Sequence, residues 1–250
     1  MAPALKKMIL AAIISSTLIN SVYANTENSH QIKKTPQENI IQQQLLQWQQ
    51  QKDVQKLAEL ALTHQLELLH TKSTPTFNEN GSVSIIIFSD YQCIYCAKSI
   101  SMINNLINNN KKIRLVFKEW PIFSQRWPSS LVAAQKALLI WRSKGVESFL
   151  KFHNGIYATN KNEGSLDDAE INKVINKLNI KFDESNAAYE KVNNELLLTQ
   201  ETAKNIELHG TPTFIIMPTQ HPTIDKTIVF SGMPDLKPLE AAVQIVSAEK

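Results

Sequence analysis

The chain has 250 residues, 43% of them hydrophobic and 20% charged, with a formal net charge of +3. That length accommodates one large domain or one domain with an appendage, and so small a charge argues against nucleic acid or an acidic membrane surface as a partner. Two cysteines are too few for a cystine-stapled framework, and only six glycines point to a helix-rich protein.

At the start, Lys6 and Lys7 precede an apolar run over 8–19, and Val22-Tyr23-Ala24 puts small residues where a signal peptidase reads. This predicts a secretory signal over 1–24 and a periplasmic protein. The run is short, and Ser15, Ser16 and Thr17 interrupt it, which disfavours a membrane span. A cut after Ala24 leaves about 226 residues and no cysteine at the new N-terminus for a lipid anchor.

Residues 25–72 form a helical segment on this reading. Thr35-Pro36-Gln37-Glu38 combines an N-cap, a proline at the first helical position and a capping-box glutamate. Ile41, Leu45 and Trp48 fall on one stripe and Val54, Leu57, Ala61 and Leu68 on another, as one long helix or two with a joint near Gln51. Such stripes bury themselves on the rest of the chain or on a second copy of it. The second copy, a homodimer, is the favoured reading, with a linker over 73–81.

Residues 83–88 read as a buried strand and 93–108 as a helix, with Cys93-Ile94-Tyr95-Cys96 between them. That spacing puts Cys93 at a helix N-terminus, where unpaired N–H groups and the dipole favour a thiolate. Cys96 stands one turn further in, where the two sulfurs can meet. A structural disulfide across a two-residue loop would restrict the unfolded chain little, and zinc would lack its other ligands. Residues 113–117 supply a second strand, so the segment is a βαβ unit with parallel strands and a right-handed crossover. Cys93 and Lys118-Glu119-Trp120-Pro121 share the carboxyl edge of that sheet, where such sheets bind ligands. Helical patterns follow over 129–143, 146–158, 166–178 and 184–207. Gly210-Thr211-Pro212 then opens a strand over 213–217, before a strand over 227–231 and a helix over 234–248.

The run from Phe88 to Cys96, together with Gly210-Thr211-Pro212, resembles the DsbA-like and DsbG-like thiol:disulfide oxidoreductases. The resemblance spans 82–250 and implies an α/β thioredoxin fold with an inserted helical subdomain at about 129–207, preceded by the helical segment. It further implies that Thr211-Pro212 is cis and faces the cysteines, that Cys93 is the nucleophile and that Cys96 resolves the mixed disulfide. The redox-active Cys93–Cys96 disulfide then replaces any cofactor, and no metal is required. Implied partners are unfolded or misfolded secreted proteins with cysteines, and a membrane or periplasmic protein that resets the pair.

The sequence departs from the strongest oxidants of that family. Ile94 and Tyr95 stand where those carry Pro-His, so no imidazolium supports the thiolate. Relatives tend to carry a carboxylate six residues before the first cysteine, and Ile87 occupies that position. Glu119 could substitute, although a solvated loop charge is the plainer reading. The Thr211 hydroxyl could donate to Cys93, as in the isomerases, and His209 is a candidate modulator that also fits a surface role. Trp120, Phe123 and Trp127 fit a peptide-binding surface or core packing equally. The two functional readings are an oxidase with isomerase activity and a non-enzymatic chaperone or assembly scaffold whose cysteines form a static bridge.

Overall fold

The computed structural model describes residues 36–49, 52–69, 72 and 74–248. The expected signal peptide, the Thr35 cap and the joint at Gln51 lie outside the described residues. Helices α1 (Pro36–Gln49), α2 (Lys52–Thr63) and α3 (Gln65–Leu69) lead into strands β1 (Thr76–Phe77) and β2 (Val83–Ser89), helix α4 (Ile94–Asn109) and strand β3 (Ile113–Glu119). Four helices follow: α5 (Ser129–Lys144), α6 (Val146–Ala158), α7 (Asp168–Leu178) and α8 (Asn186–Asn205). Strands β4 (Thr213–Pro218) and β5 (Ile228–Ser231) and helix α9 (Leu236–Ser247) close the chain.

The five strands form one sheet in the order β1-β3-β2-β4-β5. β2 and β3 run parallel from Val83 opposite Ile113 to Ser89 opposite Glu119, while β4 pairs antiparallel with β2. All seven residues of β2 and all seven of β3 are buried. Strands covered on both faces read as continuous apolar runs, which is how β2 was legible. Gly81 admits the chain to β2 because an added Cβ would stand 2.5 Å from the Arg114 nitrogen.

Side chains alternate between two cores. Ile85, Ile87, Leu115, Phe117, Phe214 and Ile216 pack on one face with residues of α4, α6 and α9. Ile86, Phe88, Val116, Ile215, Met217 and Val229 pack on the other with Leu57, Ala58, Ala61, Leu68 and Leu69. Of the two covers open to the N-terminal stripes, the rest of the chain or a second copy, these residues take the first. The stripe carrying Leu57, Ala61 and Leu68 is the lid of a sheet face, and Leu45 of α1 joins the opposite core. Within the expected linker, Thr76 and Phe77 pair antiparallel with Val116 and Leu115 as an edge strand.

Two cations of β3 fasten this lid. Arg114 donates to the Leu69 carbonyl at 2.7 Å and Lys118 to the Glu67 carbonyl at 2.8 Å, supplying donors to acceptors at the end of α3. Burial draws the Lys118 ammonium down to about 8.

Candidate active site

Cys93 is the N-cap of α4, with extended backbone, and its sulfur accepts from the Cys96 N–H at 3.4 Å. The thiol donates to the Thr211 carbonyl at 3.2 Å. The Cys96 thiol, the Thr211 hydroxyl and the N–H groups of Cys96 and Tyr95 together outweigh burial and lower the Cys93 pKa to about 6. Cys96 goes the other way. Burial and the neighbouring Cys93 push its thiol well above the usual range. Both cysteines are free thiols, and both are buried, Cys93 at 5% exposed and Cys96 at 1%.

The turn before Cys93 is held by its own side chains. Asp90 accepts from the Gln92 N–H at 2.8 Å, the Phe123 N–H at 2.9 Å and the Ser130 hydroxyl at 2.7 Å. Its carbonyl receives the Cys93 N–H at 3.0 Å and the Tyr157 hydroxyl at 3.1 Å. Burial raises the Asp90 pKa against those three bonds.

Behind the turn, Tyr91 donates to Glu119 Oε1 at 3.1 Å and meets His153 Nδ1 at 3.0 Å. His153 Nδ1 stands 3.7 Å from the same carboxylate oxygen. Glu119 is not a solvated loop charge: it is the last residue of β3, 2% exposed, paired in register with Ser89. Burial raises its pKa, opposed by His153 and Tyr91, and its Oε2 has no hydrogen-bond partner. Burial, then Cys96, Tyr91, Glu119 and Asp90, push the Tyr157 hydroxyl well up.

The structure thus brings Cys93, Cys96, Thr211, the buried Pro212 and Glu119 to one edge of the sheet. The Thr211-Pro212 bond is cis. The Thr211 hydroxyl closes no hydrogen bond, although it stands near enough to both sulfurs to favour their thiolates. Ile94 is half-buried in the first turn of α4, and Tyr95 is 57% exposed with Lys98 over its ring. His209 is exposed. Trp120 is core, edge-on to Phe88 and bonded through its indole N–H to Gln200, whereas Phe123 and Trp127 are half-buried and pack on each other. Sequence reading missed His153, whose signal was a histidine among Phe149, Phe152, Ile156 and Tyr157 on the α6 stripe. It also missed the part played by Asp90 and Gln92, polar residues fully enclosed beside the motif. Among the described residues no group of three or more His, Cys, Asp or Glu side chains is placed to hold a metal ion.

Known proteins share this fold. The structure is similar to that of BcfH from Salmonella enterica Typhimurium, at 28% sequence identity with a TM-score of 0.69 over 98% of this chain and 100% of that one. It is also similar to the thiol-disulfide exchange protein α-DsbA2 from Wolbachia pipientis, at 21% identity with a TM-score of 0.61 over 86% and 100% of the two chains. A periplasmic thioredoxin-like protein from Salmonella enterica serovar Typhimurium matches at 20% identity with a TM-score of 0.58 over 74% and 97%. A comparison with curated proteins finds no match. The family description that fits is "DSBA-like thioredoxin domain", matched over residues 84–244. Strands β3 to β5, all of β2 but its first residue, both cysteines and the four inserted helices fall within that match, and the chain belongs to the DSBA-like thioredoxin family, with its thioredoxin-like α/β fold and the thiol–disulfide oxidoreductase activity that the family implies.

Proposed function

We propose that this protein is an exported thiol:disulfide interchange enzyme that forms and isomerises disulfides in secreted proteins through Cys93 and Cys96. The observation that carries this is the divergence of the two thiols, one drawn to about 6 at a helix N-cap and its neighbour pushed up by burial. In oxidation a substrate thiolate attacks Cys93 of the disulfide; the Cys93–substrate bond forms, the Cys93–Cys96 bond breaks, and Cys96 leaves and takes a proton. A second substrate thiolate then attacks the substrate sulfur of the mixed disulfide and Cys93 leaves as a thiolate, so two electrons pass from substrate to enzyme. A stabilised Cys93 thiolate favours that direction. In isomerisation the reduced Cys93 attacks a substrate disulfide instead.

The proton of Cys96 needs a buried exchange partner, and Glu119 is the proposed one. Its raised pKa suits reversible protonation, and the Tyr91–His153–Tyr157 cluster joins it to the turn that carries the cysteines. Export rests on the N-terminal signal pattern, and no described helix is long and apolar enough to cross a membrane. A second copy of the chain remains the proposed partner of the helical segment over 25–72. Ile40 of α1 is 55% exposed, and sedimentation of the chain without its first 24 residues tests this, a monomer ending the idea.

Equilibration with glutathione buffers, followed by assay on a reduced substrate, tests the main reading. A reversible pair with catalytic turnover is the expected result. A pair that resists mild reductant and gives no turnover would support the static bridge of a scaffold instead.

A further inference from the structure

Gln92, the residue immediately before the nucleophile, is 0% exposed, and each of its polar atoms is engaged. Its side-chain amide donates to the Ser129 hydroxyl at 2.7 Å and to the Leu166 carbonyl at 2.8 Å. Its side-chain carbonyl accepts from the Gly164 N–H at 2.8 Å. Its main-chain carbonyl accepts from the Glu163 N–H at 3.0 Å, and its N–H donates to Asp90 at 2.8 Å. Ser129 also donates to Leu166 at 2.6 Å, closing a ring of three bonds. Every partner except Asp90 belongs to the inserted helices: Ser129 opens α5, and 163–166 join α6 to α7.

That loop is a turn closed by the Ser165 N–H on the Asn162 carbonyl at 3.0 Å. Glu163 and Gly164 both take left-handed backbone, at φ 50 and φ 94. A non-glycine residue in that region persists only when its surroundings impose it. Those surroundings are the turn's own closing bonds and the two Gln92 carbonyls that receive the Glu163 and Gly164 N–H groups, and the Trp127 indole would stand 2.6 Å from a Cβ on Gly164.

We propose that Gln92 is a positioning residue through which the inserted helices hold Cys93 at its N-cap and so set the acidity of its thiol. A turn free to rotate would carry the Cys93 sulfur away from the Cys96 N–H, now 3.4 Å distant, and from Thr211. Anion stabilisation at a helix N-terminus falls off within one turn, so small displacements matter. This role extends the reading of Cys93 as the nucleophile.

The test is the pH midpoint of Cys93 alkylation in the reduced full-length protein. Gln92→Ala is expected to raise the midpoint by about half a unit or more, roughly a threefold loss of thiolate below it. Ser129→Ala, which removes one partner and touches neither cysteine, should raise it less and in the same direction. Glu195→Gln, which breaks the ion pair with Arg142 deeper in the insertion, is the control for general loosening and should leave it unchanged. Should Gln92→Ala fail to fold, Ser129→Ala against Glu195→Gln still decides. Unchanged midpoints in the folded variants, or an equal shift in Glu195→Gln, would overturn the proposal. The midpoints are read without turnover, so an inert wild-type protein would sink the exchange reading while they still decide the role of Gln92.

Discussion

On one face of the sheet, Ile85, Ile87, Leu115 and Phe117 meet helices drawn from within the matched domain, and that side carries the buried polar residues Asp90, Tyr91, Glu119 and His153. On the other, Ile86, Phe88, Val116 and Met217 meet α2 and α3 from before the match, and the polar contacts there include Arg114 and Lys118 holding main-chain carbonyls. The first face lies beside the two cysteines, where the proposed mechanism uses a buried group with a shifted pKa. The second keeps the sheet dry. A helical segment outside a family domain is therefore not thereby outside its fold, because a sheet has two faces and both need cover.

The largest effect should come from uncovering the second face. A chain beginning at Ser73 loses Leu57, Leu68 and Leu69, whose burial contributes about 1.5–3 kcal/mol each, a sum comparable with the stability of a whole domain at about 5–15 kcal/mol. It is expected to lose cooperative urea unfolding followed by circular dichroism, whereas a chain beginning at Lys52 keeps it. A Ser73 chain that unfolds cooperatively would show that the lid is dispensable. Leu68→Ala sharpens the same contrast. Leu68 is 0% exposed, so the substitution should cost about 2–5 kcal/mol and leave the exchange kinetics of the folded protein alone.

Glu119→Gln should do the reverse on the active face. The amide keeps the shape and an acceptor for Tyr91 but cannot exchange the proton of Cys96. Decay of the Cys93–substrate mixed disulfide is expected to slow by about tenfold to a hundredfold, read by quenching time points with acid. Unaltered decay would remove Glu119 from the mechanism.

A smaller effect is thermodynamic. Cys93 titrates at about 6 in the folded protein, below the usual thiol value. A depressed folded value contributes stability that is full above the unfolded pKa and lost as pH falls through the folded one. The stability of the reduced protein should therefore rise from pH 6 toward about 8.5. Lys118, lowered to about 8, adds a gain of the same sign above that pH. Between pH 6 and 8 the difference between wild type and Cys93→Ser isolates the thiol, and parallel denaturation curves would contradict the assignment.

Strands β2 to β5 and helices α4 to α9 were legible to within two or three residues, because buried strands give continuous apolar runs and the amphipathic helices between them are punctuated by polar turns. The Cys93 pair and the Thr211-Pro212 turn were legible because two short motifs far apart agreed. The lid was not. Its stripe announces only that Leu57, Ala61 and Leu68 are covered, and periodicity does not say whether the cover is a sheet face or another chain. Nor was Glu119, since a carboxylate at a strand end reads as solvated until His153, 34 residues further on, is brought beside it. The bonds of Gln92 likewise close across residues 129–166, a separation that no local pattern reports.

Whether the fold makes the two thiols unequal is decided by iodoacetamide labelling of the reduced protein between about pH 4 and 10, with the modified cysteine located by peptide mapping. The account predicts that Cys93 labels first with a midpoint of about 6 while Cys96 stays unlabelled in the folded protein. A Cys93 midpoint at the unperturbed thiol value of about 8.5, or faster labelling of Cys96, would contradict it.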